Sequence, residues 1–179
     1  MLTIFGKKKV TDDKVAKHFV YTTLDVVEQG WPEVAGFINE SPEFVTAPQL
    51  DPDDYGRFLM IVIAGNFNYI PKNFDEGHDK EIIRGCVEQF ATILELEPQE
   101  LACKIKKYRD FLSRVNMPSK NTLYAMSRGI FHKYDLNCHQ EEYFRNLNTP
   151  NPIFLKNMNE VMVHFLWDWS SFKERYKVV

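Results

Sequence analysis

Apolar residues recur along this chain at steps of three and four, from near its start to near its end. The longest such run is Leu155, Met158, Met162, Phe165, Trp169, Phe172 and Tyr176, seven positions whose steps alternate three and four without interruption. On a helix that spacing puts all seven side chains on one face. Pro152 suits the first turn of that helix, so the pattern predicts one long final helix with an aromatic-rich buried face. Its mean step is also that of a coiled-coil seam. Phe, Trp and Tyr are too bulky for tight knobs-into-holes packing, and the stripe is expected to pack on its own domain.

The same logic places the other elements. Thr11 followed by Asp12 and Asp13 is a helix start, Gly30 reads as its stop, and Val15, Phe19, Val26 and Val27 give the face between them. Pro32 then opens a short helix to about Asn39, and Ser41 to Leu50 reads as loop. Asp51-Pro52-Asp53-Asp54 is a second start signal. It leads into Phe58-Leu59-Met60-Ile61-Val62-Ile63-Ala64, which is apolar on every side. A run this short also fits a buried strand, but the cap decides for a helix at the centre of the fold, from about Asp53 to Tyr69.

Three further helices follow: Asp79 to about Leu96, Pro98 to about Val115, and one opening at Pro118-Ser119 with Leu123, Met126, Ile130 and Tyr134 inward. The stretch Asp135 to Asn151 is polar, with a helical patch at Gln140 to Leu147. No period-two run flanked by turn dipeptides occurs, so no sheet is expected. The reading is all-α: residues 1–179 form one domain, a bundle of about six to eight helices around a central apolar helix, with residues 1–10 expected to be disordered.

Composition narrows the function. The chain has 179 residues and a formal net charge of −3, a poor match for a protein that wraps nucleic acid and must displace counterions from phosphates. Lys7 to Lys9 read as part of a frayed terminus. The cations between Lys104 and Arg109 read as the wet side of an amphipathic helix. Cys86, Cys103 and Cys138 are odd in number and widely spaced, the usage of a reduced cytoplasmic protein. The N-terminal residues have the wrong order for a secretory signal, and the longest apolar run cannot span a bilayer. The expected location is the cytoplasm, with neither nucleic acid nor membrane as partner.

No dinucleotide fingerprint, P-loop, zincin, nucleophile-elbow or EF-hand motif is present, and no cofactor is expected. Glu160 and His164 stand four apart, a spacing that suits metal ligation. A di-metal bundle needs Glu-x-x-His pairs on neighbouring helices, and the chain has none, so a solvated face is the preferred reading. Cys138 and His139 are adjacent, with His132 and Asp135 just before them. Adjacent side chains diverge, and a polar loop is preferred to a zinc or catalytic pair.

Asn66, Asn68 and Tyr69 end the central helix and are candidates to floor a ligand pocket with the C-terminal aromatics. The preferred reading is that the asparagines cap carbonyls while the aromatics fill the core. Opposite the long stripe, Trp167 beside Glu160, His164 and Ser171 has the composition of an interface hot spot, so the partner expected is a second copy of the chain or another protein. The leading expectation is therefore a non-enzymatic interaction or structural module that self-associates. The alternatives are a small-molecule-binding helical protein and, less favoured, a metal-dependent enzyme using Glu160 and His164.

Overall fold

The helix that carries the core is buried on every side. In the computed structural model, which describes residues 6–179, α2 (Gly56–Phe67) has every residue from Phe58 to Phe67 buried. Around it pack α1 (Asp12–Asn39), α5 (Pro98–Val115) and α6 (Thr122–Lys133), while α4 (His78–Ile93) lies along α1. The approach of α6 to α2 is close enough to need a glycine, because a Cβ on Gly65 would collide with the Met126 side chain. The short α3 (Ile70–Asn73) and α7 (Glu142–Leu147) and the later α8 (Pro152–Met162) and α9 (Trp169–Arg175) complete the helices among the described residues. The fold is thus an all-α multi-helix bundle around a central apolar helix. Among the described residues, no helix is long and apolar enough to cross a membrane.

Several local expectations are corrected. The first helix does not stop at Gly30; α1 runs unbroken through Gly30 and Pro32 to Asn39. Its buried face continues past both residues as Val27, Trp31, Val34, Ala35 and Ile38, and Pro32 sits on the exposed side, where a missing N–H is cheapest. Gly30 has a packing reason instead, since a Cβ there would lie 2.8 Å from Cε1 and Cζ of Phe165.

The acidic run Asp51 to Asp54 is a turn rather than a first helical turn. The Asp53 amide donates to Asp51 Oδ1 at 2.9 Å, and helix begins only at Gly56. That turn serves the core from outside, because the Asp51 carbonyl accepts the indole N–H of buried Trp31 at 2.9 Å. Asn39 fixes the same loop by exchanging two hydrogen bonds with the Leu50 backbone. At the other end of α5, the helix expected from Pro118 begins at Thr122, where the Asn121 side chain accepts from the amides of Leu123 and Tyr124.

The final stripe is buried but is not one helix. From Leu155 to Phe172 its members are buried and Tyr176 is half-buried. Yet α8 ends at Met162, a 3₁₀ turn covers Val163–Phe165, and α9 restarts at Trp169. The restart has a local cause: Asp168 is an N-cap whose side chain accepts the Ser171 amide at 3.0 Å.

Finally, a sheet exists where none was expected. β1 (Lys8–Val10) pairs in parallel with β2 (Tyr176–Val178), Lys8 opposite Tyr176 and Val10 opposite Val178. The Val179 amide extends the ladder to the Val10 carbonyl at 3.0 Å. Of the segment expected to be disordered, residues 1–5 lie outside the described residues, and Lys8 to Val10 are strand. Three-residue strands are too short to show alternation in a sequence.

A cavity beneath the broken C-terminal segment

Where α8 gives way to α9, the chain lifts away from a straight path and leaves a cavity of about 310 Å³ against α1. One wall is a single face of α1, His18, Thr22 and Val26 at steps of four, with Thr23 beside them. The floor is Val62 and Asn66 of α2. The other wall is the segment from His164 to Tyr176, including Trp167, Phe172 and Arg175.

Asn66 creates this geometry. It is buried, and its Nδ2 donates to the carbonyls of Val62 (2.9 Å) and Phe165 (2.8 Å). Its Oδ1 accepts the backbone N–H of Trp167 at 2.8 Å. The non-helical turn between α8 and α9 has backbone groups without helix partners, and one side chain from the central helix satisfies two of them.

The wall that follows is aromatic. Trp167 meets His18 edge-on at 5.2 Å between centroids and Phe19 at 5.4 Å, and Phe172 stacks on Tyr176 at 4.8 Å. The indole N–H groups of Trp167 and Trp169 are buried without an acceptor among the described residues. Asp168 is occupied: besides the Ser171 amide it accepts the Ser171 hydroxyl at 2.6 Å, and these hydrogen bonds hold its carboxyl below the usual range. Among the described residues, His18, His164 and Arg175 are engaged in no ion pair, and each is exposed at the cavity mouth.

The residues singled out from sequence are distributed differently. Asn66 floors the cavity. Asn68 is on another side of the helix end and accepts from Arg109 Nε at 3.1 Å, and Tyr69 packs beneath the Lys72 ammonium at 5.1 Å. Asn68 and Tyr69 lie past the end of α2, and neither lines the cavity that Asn66 floors. Glu160 and His164 are both exposed and border an adjoining groove between α1 and α8, with Val26, Gly30 and Phe37. His164 also lines the cavity with Trp167 and Ser171, whereas Glu160 does not, and Trp167 is half-buried against Trp169.

Cys138 and His139 do diverge, the thiol donating to the Asp135 carbonyl and the ring bonding to Thr46 Oγ1. Among the described residues, no three His, Cys, Asp or Glu side chains gather as a metal site would require. Sequence reasoning missed His18, Thr22 and Arg175. The signal for the first two was present, a polar four-residue step along the edge of an apolar helix face, but nothing local marked what would stand opposite.

No known protein family matches the sequence, and no curated protein or solved structure is significantly similar to the chain.

Proposed function

We propose that this chain is a small-molecule-binding helical protein whose ligand sits in the cavity between α1 and the His164–Tyr176 segment. The observation that supports this reading is convergence. His18 on α1 and His164 and Arg175 on the His164–Tyr176 segment meet around one aromatic-walled concavity, with no ion pair among the described residues to occupy them. A concave, mostly apolar site with a few convergent polar groups is the usual form of a ligand pocket, and about 310 Å³ is at the small end of the range. The three free thiols suit a reducing compartment, so the proposal sets this binding in the cytoplasm.

A second reading, a protein interaction module, draws on a different feature. Helix α7 buries none of its residues, and Tyr143 and Leu147, four apart on one face, are 68% and 56% exposed. The partner would be a second copy or another protein.

Native mass spectrometry of protein purified gently from its own host tests both. A mass increment lost on denaturation, and absent from a His18→Ala/Arg175→Ala variant, supports the cavity reading. A bare monomer mass, with no low-molecular-weight species released, rejects it. A dimer that Tyr143→Ser/Leu147→Ser dissociates supports the second reading instead.

A further inference from the structure

We infer that the ligand of this cavity is a small aromatic carboxylate, its ring against Trp167, Phe172 and Tyr176 and its carboxylate on Arg175; the inference rests on the cavity reading above. The size fits one ring with a short polar arm. The wall favours a flat apolar body, because Phe172 and Tyr176 lie stacked and Trp167 presents a third ring beside them.

The sign of the charge follows from which polar groups are already used. The only carboxylate lining the cavity is Asp168, and the Ser171 amide and hydroxyl occupy it as the cap of α9. A ligand ammonium therefore meets a single carboxylate already engaged by two hydrogen bonds, beside three N–H donor side chains. Arg175 has no ion-pair partner among the described residues, and its planar guanidinium matches a carboxylate through two parallel hydrogen bonds. His18 and His164 add ring N–H donors at the same mouth. N–H donor side chains thus outnumber carboxylates three to one at this mouth, which favours an anion.

Three probes of one skeleton separate the possibilities: phenylacetate, phenylacetamide and phenethylammonium, titrated calorimetrically into the full-length protein. Phenylacetate is expected to saturate, the amide to bind about ten- to a hundredfold more weakly, and the ammonium to show no binding. Arg175→Gln should reduce phenylacetate affinity to that of the amide with an unchanged melting temperature, while Lys156→Gln, on the exposed side of α8, should change nothing. Equal binding of amide and carboxylate, or an Arg175→Gln variant with full affinity, overturns the anion assignment and leaves the cavity reading intact. Failure of all three probes, with a retained ligand still seen by native mass spectrometry, overturns the aromatic carboxylate alone. Failure of all three with a bare host-purified protein overturns both.

Discussion

The side chain of Asn66 and the backbone of Trp167 are joined by a 2.8 Å hydrogen bond across about a hundred residues of sequence. With the matching bond to the Phe165 carbonyl, it fixes the stretch that links α8 to α9. Asn66→Leu keeps the volume and removes both bonds, leaving a buried N–H and a buried C=O unsatisfied. The expected cost is about 1–3 kcal/mol for each group so stranded, read from urea denaturation midpoints. A loss no greater than that of an exposed substitution would show that the turn holds itself.

Gly30→Ala should destabilise the protein, although alanine in place of glycine on an open helix face stabilises by about 1 kcal/mol. The added Cβ meets the Phe165 ring at 2.8 Å, and overpacking of this kind costs about 1–3 kcal/mol. Phe165→Leu removes the obstruction. A double-mutant cycle should therefore return a favourable coupling between Gly30→Ala and Phe165→Leu, and additive effects would place the two residues out of contact.

Thiol chemistry should divide the cysteines two to one. Cys103 and Cys138 are exposed, whereas Cys86 is buried against the Ala16 carbonyl and its thiol is pushed well up by burial. A colorimetric thiol reagent on the native protein should count two fast groups, with the third released only on unfolding. Three fast groups would mean that the contact between α1 and α4 opens readily.

Acid should weaken the fold partly through His132. Burial, reinforced by Arg128, holds its ring below the ordinary imidazole value, so the folded protein binds this proton less readily than the unfolded chain does. Its contribution is fully present above the unfolded value of about 6.5 and is lost as the pH falls through the folded one. His132→Gln should therefore lose less melting temperature between pH 8 and pH 5 than the parent protein. Identical pH profiles would assign the acid sensitivity elsewhere.

What the sequence made legible was burial, and what it concealed was continuity. The central helix could be read because Phe58 to Ala64 has no polar side to offer solvent, and α5 because Pro98 and a single apolar edge mark it. Gly30 and Pro32 misled because their local propensities favour a stop, while the buried face on both sides of them outweighs a cost of a few kcal/mol. The break before Trp169 had a visible sign in Asp168 and Ser171, but the heptad-like spacing of the stripe spans it without a fault. Three- and four-residue steps survive a turn that happens to restore phase. The cavity was less legible still, since Asn66 was visible while His18 and Arg175 acquire meaning only when opposite ends of the chain are laid together.

The pairing of Lys8–Val10 with Tyr176–Val178 also imposes an order in time. During synthesis β1 emerges with no partner, and none exists until the helices between it and β2 have been made. The wall bearing Phe172, Arg175 and Tyr176 is thus translated after the helices of the bundle and is fastened by a strand translated before them. A nascent chain halted before residue 176 has the sequence of every helix and still lacks this fastening. The site becomes whole only as the circuit of the chain closes.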